Sequence, residues 1–136
     1  LPPELTGRVL HRFAPLDVPA WVERFLDGWR PDAAVFVESE LWPNTLAALR
    51  ARGVPVALAN ARFSERAARR WARLAPGLLR EALGGFSAVL PQSAGDAARL
   101  RAAGARGVAE VGNLKWAADP LPADAAELAA LRARLG

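Results

Sequence analysis

With 136 residues, 52% of them hydrophobic and 24% charged, the chain is long enough for one domain with a packed core, too short for two ordinary ones, and not of disordered composition. It has no cysteine and a single histidine, His11, which excludes disulfides, thiolate metal sites and a histidine-built zinc site. A formal net charge of +4, carried almost wholly by arginine, leaves room for an anionic partner such as phosphate, a membrane surface or nucleic acid.

Along the chain, short apolar runs alternate with longer amphipathic segments, the pattern of βαβ units around a parallel sheet. Val9 to Phe13 reads as a first strand. Pro19 opens a helix to about Trp29, with Val22, Phe25, Leu26 and Trp29 at helical spacing, and Pro31 and Asp32 stop it. Ala33 to Val37 is a continuous apolar run, as expected of a strand covered on both faces. Pro43 stands where a first helical turn begins; Thr45 to Arg52 continues it and Gly53 closes it. Val54 to Ala59 is the next buried strand. Ser64 is an N-cap for a helical stretch from Glu65 to Leu83, which Pro76 should kink or split and Gly84 and Gly85 end. Phe86 to Leu90 reads as a strand, and Ser93 with Asp96 forms a capping pattern before a helix ending near Gly104. Val108 to Val111 is a last short strand. Pro120 and Pro122 mark a linker-like stretch, and Asp124 with Glu127 repeats the capping pattern ahead of a helix to Leu135. No apolar run approaches the roughly 20 residues of a membrane-spanning helix, and no secretion leader opens the chain. Methionine is absent even at position 1, so the sequence is expected to be a piece of a longer one.

Ligands of open parallel sheets sit beyond the carboxyl ends of the strands. Four such ends gather here. Glu38, Ser39, Glu40, Leu41, Trp42, Pro43 and Asn44 follow Val37; Asn60, Ala61, Arg62, Phe63 and Ser64 follow Ala59. Pro91, Gln92 and Ser93 follow Leu90; Gly112, Asn113, Leu114 and Lys115 follow Val111. Carboxylates, amides, an arginine and a lysine on one edge suit a polyhydroxylated or phosphorylated ligand.

These residues also resemble a known family. Glu38-Ser39-Glu40-Leu41-Trp42-Pro43-Asn44 resembles the Glu-Ser/Thr-Glu-Leu-Trp-Pro-Asn signature of Kdo transferases, where Kdo is 3-deoxy-D-manno-octulosonic acid. Asn60-Ala61-Arg62-Phe63-Ser64 is similar to their Asn-Ala-Arg segment. Val111-Gly112-Asn113-Leu114-Lys115-Trp116 is similar to a third stretch, with Trp116 in place of the usual phenylalanine. Order and spacing match from about Arg8 to Trp116. The resemblance implies an inverting GT-B glycosyltransferase that transfers Kdo from CMP-Kdo to a lipid A precursor, with no metal or cofactor. It implies that residues 1–118 are a Rossmann-like acceptor-side domain, incomplete at its N-terminus, with helices on both faces of a parallel sheet. Residues 119–136 would then be a linker and helix leading towards an absent C-terminal domain that binds CMP-Kdo. It also implies a general base upstream of Leu1, and a parent working at the cytoplasmic face of the bacterial inner membrane, with this piece soluble and inactive alone.

On this reading Glu40 is the candidate catalytic residue, and Glu38, Trp42, Asn44, Asn60, Arg62, Ser64, Gln92, Asn113 and Lys115 are candidate substrate-binding residues. Each has a structural alternative. The two glutamates can be a solvated turn, and Trp42 a core anchor. Arg62 can be a helix-end arginine, or an anion site beside the amides that Ser64 caps. Lys115 is the sole lysine among 18 basic residues. Arg66, Arg69, Arg70 and Arg73 share one helix face, opposite Ala67, Trp71, Leu74, Ala75 and Leu78. That face is either a solvated surface or a platform for an anionic inner membrane. The alternatives are a GT-B transferase with another nucleotide-sugar donor, and a basic α/β module binding anionic membrane or nucleic acid. Nucleic acid is disfavoured, because no reading element or stacking aromatics accompany the basic residues.

Overall fold

The computed structural model describes residues 7–118 and 124–135. Three parallel strands, β1 (Ala34–Val37), β2 (Val56–Ala61) and β3 (Ala88–Pro91), lie in the order β1-β2-β3. They are joined by α1 (Pro19–Trp29), which precedes β1, α2 (Pro43–Ala51), α3 (Glu65–Leu74) and α4 (Pro76–Gly84). After β3 come α5 (Ala94–Ala102), a 3₁₀ turn (Leu114–Ala117) and α6 (Ala125–Leu135). This is a Rossmann-like α/β arrangement. Proline opens α1, α2 and α4, where its missing N–H would have had no helical partner. Ser64 caps α3 and Ser93 caps α5 with their side-chain oxygens. Pro76 splits the long helical stretch at Ala75 as the sequence predicts. No helix among the described residues is long and apolar enough to cross a membrane.

One continuous core joins sheet and helices. Val22 and Leu26 of α1, Leu46 and Leu49 of α2, Leu79 and Leu83 of α4 and Leu100 of α5 close on Val56, Leu58 and Val89. Phe36 meets Phe86 edge-on, with ring centroids 6.1 Å apart. Each such leucine contributes about 1.5–3 kcal/mol by leaving water. Val35 and Val37 alternate with Phe36 and so point to the other face of the sheet, where they are 65% and 49% exposed. Among the described residues nothing pairs with the outer edge of β1.

Three sequence readings are corrected. Val9 to Phe13 forms no strand: Leu10 and Phe13 stand in solvent, because a β-run needs a ladder partner as well as apolar residues. Val108 to Val111 reduces to one parallel bridge between Val108 and Val89. Gly107 brings the chain so close to Ser87 that a Cβ would lie 2.7 Å from its carbonyl, and Gly107 and Gly112 both take left-handed φ, which ends regular pairing on either side. Leu74 (72% exposed) and Leu78 (42% exposed) do not join an apolar side, because the break at Ala75 re-aims the chain between them. α3 instead leans on the core through Ala67, Ala68 and Trp71. The Pro120–Pro122 linker reading lies outside the described residues. Asp124 caps α6 through the N–H groups of Ala126 and Glu127, and α6 is exposed throughout.

Candidate active site

The site forms where β1 and β2 end side by side. Glu38 keeps the ladder, donating its N–H to the Ala59 carbonyl (2.9 Å) and accepting from the Arg62 N–H (3.2 Å). Its φ of 64° turns the chain off the sheet there, an unusual conformation for glutamate. Ser39 follows, and its hydroxyl donates to the Arg62 carbonyl at 2.9 Å. Glu40 is exposed, and its carboxylate accepts the indole N–H of Trp42. Glu40 and Trp42 help line an apolar groove of about 460 Å³ that runs along β1 past Phe25 and Trp29. Asn44, in the first turn of α2, donates its side-chain amide to the Asp17 carbonyl at 2.7 Å.

On β2, Asn60 is 3% exposed with a φ of 49°, at the irregularity where the β2–β3 register shifts. Its side-chain oxygen accepts the Leu114 N–H at 3.2 Å, which brings the third motif onto the second. Lys115 Nζ lies 3.2 Å from Glu38 Oε1 and so joins the third motif to the first. Both side chains are largely in water, so the pair contributes little stability. What it fixes is where the charges stand. Asn113 donates to the Gln92 side chain at 3.1 Å, closing the edge against the end of β3. A cleft of about 280 Å³ opens between the turn after β1, the Arg62–Ser64 turn and α3, lined by Glu38, Ser39, Arg62, Ser64, Arg70 and Trp71. Ser64 spends its side-chain oxygen on the Ala67 N–H.

The structure therefore brings Glu38, Asn60, Arg62, Ser64, Gln92, Asn113 and Lys115 to one edge, with Glu40, Trp42 and Asn44 beside them on the turn into α2. Of the α3 arginines, Arg70 reaches the cleft, Arg69 pairs with Glu65, and Arg66 and Arg73 are exposed. Two supports are not visible in the sequence as site residues. Asp17 sits on the first turn of α2, accepting from Asn44 and Thr45. Asp96, read only as half of a capping pair, also takes the Phe63 N–H at 2.9 Å. Burial raises the Asp96 pKa, but bonds from Ser93, the Phe63 N–H and Arg99 outweigh it and hold the carboxyl below its ordinary value.

Comparison with known proteins identifies a family. Residues 3–118 match the model of a family described as 3-deoxy-D-manno-octulosonic-acid transferase (kdotransferase). The 3-deoxy-D-manno-octulosonic acid transferase of Bordetella pertussis is 44% identical over 110 residues, covering 81% of this chain and 26% of that protein. A probable mitochondrial 3-deoxy-D-manno-octulosonic acid transferase of Arabidopsis thaliana is 42% identical over 92 residues, 66% of this chain and 20% of that one. The enzyme of that name from Rickettsia felis is 32% identical over 126 residues, 93% of this chain and 27% of its own. The chain thus spans about a quarter of the length of these relatives. It belongs to the 3-deoxy-D-manno-octulosonic-acid transferase family.

Proposed function

We propose that this chain is the acceptor-side part of an enzyme that transfers Kdo from CMP-Kdo to a lipid A precursor at the cytoplasmic face of the inner membrane. The observation that supports this most is the meeting of three motif segments, remote in sequence, on one sheet edge, tied by the Glu38–Lys115 pair and the Asn60–Leu114 bond. On this reading residues 1–118 form the acceptor-side domain. Residues 119–136 lead towards a donor domain elsewhere in a longer parent.

The reaction is an inverting displacement that draws on no metal or cofactor. An acceptor hydroxyl oxygen bonds to the anomeric carbon of Kdo while the bond to the CMP phosphate oxygen breaks on the opposite side. CMP leaves with the electron pair, and the hydroxyl proton passes to a base outside this sequence. Positive charge grows on the anomeric carbon in such a step, and a carboxylate held in place stabilises it. Glu40 supplies that carboxylate, oriented by the Trp42 indole. Arg62 and Lys115 attract the anionic groups of the substrates. Asn44, Asn60, Ser64, Gln92 and Asn113 spend their side chains on internal hydrogen bonds and give the edge its shape.

The test is to incubate the full-length protein bearing this sequence with CMP-Kdo and a lipid A precursor. Mass spectrometry should show Kdo added to the acceptor and CMP released, with no product from the 136-residue chain alone. Unconsumed CMP-Kdo with intact full-length protein would defeat the reading.

A further inference from the structure

We infer that Asp96, acting with Arg99, is a positioning residue for Arg62. The structural part of this stands by itself, and only its kinetic consequence rests on the transferase reading above. Asp96 is 6% exposed and accepts the Phe63 N–H at 2.9 Å. Arg99, one turn further along α5, donates Nε to the Phe63 carbonyl and Nη2 to Asp96 Oδ1 at 2.8 Å. Two side chains of one helix thus hold both polar groups of a single residue. The same turn is held from the other side. Arg62 donates its N–H to the Glu38 carbonyl and accepts the Ser39 hydroxyl, and Gln92 donates its N–H to the Ala61 carbonyl.

A plain connection from strand to helix needs none of this, because Ser64 already caps α3 and Ser93 already caps α5. A buried carboxylate is costly unless it is fully partnered. Here its partners fix one turn, and that turn carries an arginine. The Arg62 side chain is exposed and makes no ion pair or side-chain hydrogen bond among the described residues, at the lining of the 280 Å³ cleft beside Arg70. A guanidinium on a backbone fixed at every peptide group loses less freedom when it meets an anion.

The experiment uses Asp96→Asn in the full-length protein, which keeps the shape but weakens the hold on Phe63 and Arg99. The Phe63 amide should exchange its hydrogen about tenfold faster while the Val89 amide, in the sheet, is unchanged. Unchanged protection at Phe63 overturns the clamp whether or not the protein is a transferase. In the transfer assay, Arg62→Gln and Asp96→Asn should each raise the acceptor KM about tenfold, and the double variant no further than the larger single. A product of the two effects, about a hundredfold, overturns positioning and makes Asp96 an independent support. If Asp96→Asn does not fold, Arg99→Lys takes its place with the same readouts, since lysine keeps the charge but cannot bridge Phe63 and Asp96 together. Faster exchange at Phe63 with no Kdo transfer by the unaltered protein supports the clamp and defeats the transferase reading alone.

Discussion

Asp17 Oδ1 accepts both the backbone N–H (2.8 Å) and the hydroxyl (2.7 Å) of Thr45, 28 residues further along the chain. Oδ2 takes the Asn44 N–H at 3.0 Å. The carboxylate thereby sits on the first-turn amides of α2, where the helix dipole favours negative charge. The turn carrying Glu40 and Trp42 is anchored to the segment before α1, and the amino end of α2 is already occupied by the protein's own anion. On the function proposed above, substrate anions are drawn by Arg62 and Lys115 instead. Asp17→Ala should lower stability by about 1–2 kcal/mol, the upper range for a lost cap. Urea unfolding would show a lower midpoint with unchanged slope. An unchanged midpoint would make Asp17 a solvated contact.

On the proposed function, Glu40→Gln in the full-length protein should reduce turnover at least about a hundredfold, as for loss of one preorganised electrostatic group. Glu38→Gln should cost less, because it loosens the exposed pair with Lys115 and leaves the backbone bonds to Ala59 and Arg62 intact. Steady-state kinetics with matched unfolding curves decides the matter. Near-normal turnover in Glu40→Gln would reduce the segment to a structural turn.

Asp96 gives a pH dependence with a definite sign. Its folded pKa lies below the ordinary carboxyl value, so its contribution is fully present above the unfolded pKa of about 3.9 and is lost as pH falls through the folded value. The stability gap between the unaltered chain and Asp96→Asn should therefore be widest near neutrality and narrow on acidification below about pH 4. Urea unfolding at pH 7, 5 and 3 measures it. A gap that stays constant to pH 3 would contradict the assignment of the shift to native contacts.

The strands β1, β2 and β3 were legible because each is a short apolar run bounded by proline, glycine or a polar turn, and the helix starts because Pro19, Pro43, Ser64, Pro76 and Ser93 act locally. The edge of the site was legible for the same reason: it is whatever follows each strand. What holds that edge was not. Asp17 and Thr45, or Asp96 and Phe63, are joined only by the fold, across 28 and 33 residues. Val9 to Phe13 and Val108 to Val111 failed alike, since apolar residues signal burial but do not name a strand's neighbour. Leu78 failed because a helical stripe cannot be followed across the break at Ala75.

Val35 and Val37 direct their backbone N–H and C=O groups away from β2, since the ladder uses Ala34, Phe36 and Glu38. An all-parallel sheet is ordinarily covered on both faces, and an open apolar edge is prone to pair. The relatives are about three times as long as this chain, so the longer parent proposed above has ample chain to complete the sheet. The amides of Val35 and Val37 should be strongly protected from hydrogen exchange in the full-length protein at every concentration tested. Fast exchange there would mean that the edge stays open, and protection that grows with concentration would assign it to a second copy.

Arg66, Arg69, Arg70 and Arg73 all stand exposed on α3, a helix that buries none of its own residues fully. The acceptor we propose resides in a bilayer, so the domain that receives it works close against an anionic surface. Each arginine near such a surface contributes on the order of 1 kcal/mol. Arg69 is partly offset by its pair with Glu65, while Leu74 at the end of the helix offers an apolar contact beside Arg73. A few kcal/mol in all orients a domain without anchoring it. The attraction should fade with salt, because the Debye length falls from about 10 Å at 0.1 M to about 3 Å at 1 M. Co-sedimentation of the 136-residue chain with anionic and with neutral vesicles at those two salt concentrations measures the effect directly. Anionic vesicles should retain more protein at low salt only, and replacing the four arginines by glutamine should remove the preference. If the fourfold variant sediments like the unaltered chain, α3 presents a solvated face and the membrane is met elsewhere.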